Sequence, residues 1–324
     1  AKHIQTQSEW EQTMARRVME QLRGELYLDQ RYLTAALGAL PAAPRESGGS
    51  FATDGGALYY PTAWLLDTYR RNRRYLPRAY LHSLFHCIFR HLWLRDRRDP
   101  DLWGLACDIA VEATLDTLNT PATKRPVGWG RQQCYTQLRE KCKFLAAGPI
   151  YRVLAQTDAE TLNKWQREFY TDSHRLWPAD PDSPAAQMRG KQWENLGRQA
   201  FLKETFTLLK SQDSFFRQCR ILVMQADNAV RDEVWLNDLD ALDRYTAQFT
   251  LVGGGGTDFR PAFARIAQLR QDGALRDLQG VLYFTDGKGI YPAKRPPFET
   301  AFLFLEDGTP PPDVPPWAMR LVLQ

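Results

Sequence analysis

Three of the five histidines fall between Leu81 and His91, and two of them, His82 and His86, are four residues apart. On a helix that spacing stacks both imidazoles on one face, the way a helix presents two nitrogens to a zinc ion. The pair is the HxxxH half of the HExxH metallopeptidase pattern. The residue after His82, where a zincin carries the glutamate that serves as general base, is Ser83, so a peptidase would need its base elsewhere. Buried histidines also satisfy backbone carbonyls, and the pair fits that structural role as well. His91 lies about half a turn round the helix from His82 and reads as a helix-end residue near the last carbonyls. Asp108 and Glu112 repeat the four-residue spacing. Two carboxylates on one face of an apolar helix are costly to bury unpaired, so they must meet solvent, a cation or basic partners. Asp108 fits a third metal ligand and Glu112 a third ligand or a relocated base; both also fit an exposed acidic edge. His174, within Phe169 to Pro178, is a fourth ligand candidate.

The elements that must position these residues are legible in the apolar pattern. Leu81, Leu84, Phe85, Ile88, Phe89 and Leu92 recur at the three-and-four spacing of a helix with one buried face. Leu102, Leu105, Ile109 and Leu115 predict a second helix over 102 to 118. Upstream, Trp10 to Leu40 is helical, Pro41 to Ser50 is a loop, and Phe51 to Pro61 is a short hairpin turning at Asp54-Gly55. Pro181 and Pro184, with Asp180, Asp182 and Ser183, mark a linker. Beyond it, a helix over Phe201 to Lys210 precedes the apolar run Ile221 to Ala226. The runs Val281 to Thr285, Ala301 to Leu305 and Arg320 to Leu323 follow, with a helix over Pro261 to Leu269. Unalternating apolar strands separated by helices predict a parallel sheet covered on both faces. Its strand ends carry two loops of interest, Gly253 to Pro261 and Phe284 to Gly287. The glycine run lacks the GK[ST] ending of a phosphate loop.

At 324 residues the chain has room for two domains, each with its own core. The arginine-rich stretch Arg95 to Asp99 alternates with acids and the net charge is only +4, so nucleic acid is not an expected partner. No run approaches the roughly 18 apolar residues of a membrane span, and Ala1 to Glu20 is polar where a signal peptide would be apolar. The five cysteines are dispersed without a CxxC pair, as free thiols in a reducing compartment would be. A cytoplasmic location is expected.

Several of these stretches together resemble a bacterial family that joins an N-terminal metallopeptidase-like domain to a C-terminal von Willebrand factor A-like domain. They are HxxxH followed by His91, Leu102 to Glu112, Gly254 to Pro261, Tyr283 to Gly287 and Val314 to Ala318. The resemblance covers nearly the whole chain, and its C-terminal motifs are the more specific. It implies that Thr257 and Asp286 match the second and third loops of a metal-ion-dependent adhesion site, which binds Mg²⁺ through hydroxyl and carboxylate oxygens. By analogy it also implies a protein partner, an AAA+ ATPase of the MoxR type. The DxSxS loop that supplies the first ligands of such a site does not occur in this chain. The family pattern places the strand before it ahead of Phe201, where Gln192 to Ala200 stands instead. A sheet of that kind then requires a chain break between Gln199 and Phe201, or another segment in the central position.

The sequence therefore predicts an α+β zincin-like domain over residues 1–190. An α/β von Willebrand A-like, Rossmann-like domain with a mainly parallel sheet follows over 191–324, lacking its first strand. The expected protein is metallopeptidase-related, holds zinc at His82 and His86 with Asp108, hydrolyses little or nothing, and meets protein partners through the second domain. Two alternatives stay open: an active zinc peptidase with Glu112 as relocated base, and a metal-free interaction scaffold.

Overall fold

The computed structural model describes residues 6–118, 120–142, 144–210, 220–252, 258–285, 287–305 and 312–323. The chain divides into two units, Ala1–Phe201 and Leu202–Gln324. Among the described residues no helix is long and apolar enough to cross a membrane.

The first unit is helix-rich around one small sheet. Helix α1 (Gln7–Asp29) opens on a capping box, in which Thr6 and Glu9 each satisfy the other's backbone N–H. It buries Ala15, Val18, Met19, Leu22 and Leu26 as a single stripe. A 3₁₀ turn and α2 (Thr34–Ala39) follow. The sheet consists of β1 (Ala42–Arg45), β2 (Ala52–Thr53) and β3 (Leu58–Pro61), in the order β1-β3-β2. Strands β2 and β3 form the expected antiparallel hairpin, with Gly55 at φ 79° in its turn. Strand β1 lies in the stretch expected to be a loop; it pairs in parallel with β3 from Ala42↔Leu58 to Arg45↔Pro61. A proline-bearing run of four residues has too short a period to read, and only the neighbouring strand makes it one.

Helices α3 (Thr62–Asn72) and α4 (Tyr75–Ile88) lead into α5 (Pro100–Thr117), and α6 (Trp129–Lys141), α7 (Ala147–Leu154) and α8 (Ala159–Phe169) complete the unit with the first part of α9 (Pro184–Lys210). Apolar side chains of α1, the sheet, α3 and α4 form one core, around Leu22, Leu37, Phe51, Tyr80 and Leu84. A second, around Ala106, Ile109, Cys134, Ile150 and Phe169, packs α5 against α6, α7 and α8. The two cores lie on either side of the α4/α5 contact.

In the second unit β4 (Ile221–Ala226) pairs antiparallel with β5 (Val230–Leu236), and α10 (Leu239–Gln248) and α11 (Arg260–Gln271) follow. Strands β6 (Val281–Phe284), β7 (Thr300–Leu305) and β8 (Met319–Leu323) form a separate parallel sheet in that order. The later three runs pair in parallel as expected, but Ile221–Ala226 does not join their sheet: it pairs antiparallel with β5, a strand whose charges at Arg231, Asp232 and Glu233 interrupt the apolar run. Phe259, Phe263, Tyr283, Phe302 and Trp317 make an aromatic core. Between Gln199 and Phe201, where a break or another segment was expected, the chain runs on as the helix α9. Thr257 and Asp286, the two adhesion-site expectations, lie outside the described residues.

Candidate metal centre

Helix α4 is buried from Leu76 to Cys87, with Pro77 in its first turn, where a missing N–H costs nothing. Helix α5 starts from Asp99, whose carboxylate accepts from the Asp101 and Leu102 amides, and is buried on nearly every side from Trp103 to Ala113. Both helices therefore carry their polar residues inward, and the two sets meet as an antiparallel ladder of four-residue steps. Arg78 pairs with Glu112 and Asp116 at 2.7 and 2.6 Å. His82 meets Glu112 through Nδ1 at 2.8 Å and Asp108 through Nε2 at 3.2 Å, and His86 Nε2 lies 3.2 Å from Asp108.

A third element reaches the same place from the sheet. The Ser173 N–H donates to the Phe51 carbonyl at 2.8 Å, which adds a one-residue parallel bridge beside β2. Ser173 is extended at φ −107°, ψ 122°, so its neighbours Asp172 and His174 point to one side, toward α4 and α5. Asp172 Oδ1 sits 3.7 Å from His82 Nε2 and 3.8 Å from His86 Nε2. Its other oxygen accepts from the Ser83 hydroxyl at 2.5 Å.

One ligand atom from each of His82, His86, Asp108 and Asp172 thus falls within 4.8 Å of the others, and all four residues are buried. The two Nε2 atoms are 2.9 Å apart. Donors on a tetrahedral zinc with bonds of about 2.0–2.1 Å lie about 3.4 Å from one another, and the five separations that involve a histidine nitrogen, 2.9 to 3.8 Å, bracket that value. The donor chemistry fits too. A neutral His82 that donates its Nδ1 proton to Glu112 has an Nε2 lone pair facing inward, the form in which a metal would take it. When His86 shares its Nδ1 proton with His91 Nδ1, 2.9 Å away, a second lone pair faces the first. Two lone pairs and two carboxylates then converge without a donor among them, and their charge of minus two matches a dication. Asp172 Oδ1 has no well-aligned hydrogen bond; its near neighbours are imidazole nitrogens, His174 Nε2 at 3.1 Å first among them.

Titration follows the same geometry. Burial alone would push the His82 imidazole down, but its hydrogen bonds to Asp108 and Glu112 and the nearby Asp172 charge carry it up to about 9. Burial holds His86 down at about 4 against the pull of Asp172 and Asp108. Burial opposes ionisation of Asp172, yet the surrounding imidazoles lower it to about 2. His174 is buried enough to resist charging, but Asp108 and Asp172 raise it to about 10.

Glu112 has a different setting. Its Oε1 accepts from His82, and its Oε2 is held by Arg78, Arg125 and Arg131, so the carboxylate stays well below its usual range despite burial. It orients His82 from behind, as the outer carboxylate partners of metal-bound histidines do. His91 is not on the far side of the helix as its position suggested. Helix α4 ends at Ile88, Arg90 takes a left-handed φ of 62°, and the chain doubles back to set His91 against His86. Sequence periodicity also passed over Asp172, which belongs to no helix. Its only mark is the i,i+2 spacing to His174, and that has meaning once Ser173 is known to lie along a strand.

A buried group of two histidines and two carboxylates that could hold a metal ion, followed by a unit with a parallel sheet, is the arrangement of a metal-binding domain joined to a second α/β part. The chain matches the family described as "Putative metallopeptidase domain" over residues 15–192 and the VWA-like domain family over residues 208–324. It belongs to this metallopeptidase-domain family, with the VWA-like domain as its C-terminal part. No curated protein and no solved structure matches the chain.

Proposed function

We propose that the first unit binds one divalent metal, zinc in the first instance, through His82, His86, Asp108 and Asp172. On this reading the unit is a zincin-like, metallopeptidase-related module of little hydrolytic power. The observation that carries it is the convergence of two imidazole nitrogens and two carboxylate oxygens in one buried space, within 4.8 Å of one another. Borderline nitrogen ligands with carboxylates suit zinc, and a metal there would supply Lewis acidity toward a carbonyl or a water. The chain's own residues argue for weak hydrolysis. Ser83, in the position of a zincin's glutamate, is fully buried and spends its hydroxyl on Asp172. Glu112 is already occupied by His82 and three guanidinium groups. Neither is a free base, and a missing base costs on the order of 10²–10⁴ in rate.

The same proposal assigns partner binding to the VWA-like unit, with a Rossmann-like sheet and a MoxR-type AAA+ ATPase as the expected kind of partner in the cytoplasm. Mg²⁺ at Thr257 and Asp286 would be weak there, because the chain has no DxSxS loop. The test is metal analysis of the purified protein together with a casein-cleavage assay. One zinc per chain and negligible cleavage are expected. Absence of any bound metal would sink the proposal, and robust zinc-dependent cleavage abolished by His86→Ala would replace it with an active peptidase.

A further inference from the structure

His174 comes from the same segment as Asp172, outside the helix pair, and borders the four-residue group. Its Nε2 lies 3.1 Å from Asp108 Oδ1 and 3.1 Å from Asp172 Oδ1. Neither contact has the alignment of a good hydrogen bond, and both are charge contacts between the imidazole and a carboxylate. Once it gives up its proton, this nitrogen has a lone pair to offer to the same cation that its two carboxylate neighbours would hold. His174 also differs in exposure. Its side chain is 22% exposed, whereas those of His82, His86 and Asp172 are fully buried and Asp108 is 9% exposed.

Two neighbours make room for it and hold it. Trp177 stacks on the ring at 3.9 Å and 25°. Gly104, inside α5 where glycine is disfavoured, gives it space: a Cβ there would stand 2.7 Å from His174 Nδ1. On the reading of the centre given above, we propose that His174 is a fifth, displaceable ligand that fills the solvent side of the metal. The site is then closed by its own side chain until His174 and Trp177 turn away. The class of molecule that would take its place is a small oxygen or nitrogen donor, such as a carboxylate or a peptide carbonyl.

The test uses the full chain loaded with Co²⁺, whose visible absorption reports coordination number, and free imidazole as the probe. Two variants remove the ring from the centre by different routes, His174→Ala directly and Gly104→Ala by displacement. Both should keep one metal per chain, absorb more strongly than the wild type as coordination drops from five to four, and shift on adding imidazole. The wild type should respond only at imidazole concentrations at least about tenfold higher, because the probe must first displace the His174 ring. Spectra of both variants that match the wild type and ignore imidazole would overturn the fifth-ligand assignment while leaving the four-residue centre in place. A wild type that responds to imidazole as the variants do would overturn the assignment as well. Failure of the wild type to take up Co²⁺ or Zn²⁺ would remove the centre itself.

Discussion

The two units place their charge differently. In the first, Arg78, Glu112, Asp116 and Asp172 are at most 5% exposed at the side chain and surround a pair of fully buried histidines. In the second, described pairs such as Arg265–Glu233, Arg260–Asp258 and Arg295–Glu299 lie in contact with solvent. Apolar residues follow suit: α4 buries Leu81 and Leu84 completely, while Leu282 in β6 is 60% exposed. A buried charge persists only where partners converge on it, so the first unit is committed to one arrangement and its polar residues read as a site. Exposed pairs carry little energy and constrain little, so the second unit reads as a surface.

That contrast can be broken most directly at the metal. His86→Ala or Asp172→Ala should weaken zinc binding by more than the roughly 10–100-fold typical of an outer-shell change, and Arg260→Ala should leave it unaltered. Chelator competition measures both, and equal affinities across the set would erase the distinction between the units. Carboxylates give the next largest difference. Glu112→Ala leaves three guanidinium groups without their shared partner and should destabilise the protein by about 3–5 kcal/mol. Glu233→Ala, at a part-exposed pair, should cost at most about 1 kcal/mol in the same denaturant titration.

The pH dependence of the chelator-treated protein sharpens the comparison further. His82 and His174 hold their protons to about 9 and about 10, whereas an unfolded chain releases them near about 6.5. The folded state then binds more protons than the unfolded one, so the stability they confer is present below about 6.5 and is lost as pH rises to 9 or 10. His86 stays neutral down to about 4, so between about 6.5 and 4 the unfolded state binds the extra proton and stability falls as pH falls. Thermal melts should peak near neutral pH. Zinc, which takes imidazoles in their neutral form, should remove the alkaline decline and keep the acid one. Melts that are flat from pH 6.5 to 9 without metal would contradict the geometry of these histidines. The smallest effect belongs to β6, where Leu282→Ser should change stability by no more than about 0.5 kcal/mol; Leu84→Ala in α4 should cost about 2–5 kcal/mol.

Residue order alone determined that His82 and His86 share a helix face, that Asp108 and Glu112 do the same on the next helix, and that four apolar runs in the second half become strands. Those are local properties, set by the 3.6-residue turn and by apolar run length, and both are written in consecutive residues. Tertiary structure decided which carboxylate faces the two histidine nitrogens of the candidate centre and which stands behind His82. Glu112 and Asp108 are equivalent in spacing, and only the arrival of Arg78, Arg125 and Arg131 around one of them separates their roles. Asp172 and His174 reach the centre because Ser173 docks on Phe51, more than a hundred residues earlier in the chain. His91 returns to His86 because one residue, Arg90, turns left-handed after the helix ends. Each of these depends on contacts between segments far apart in sequence or on a single backbone angle, and neither leaves a periodic trace among neighbouring residues.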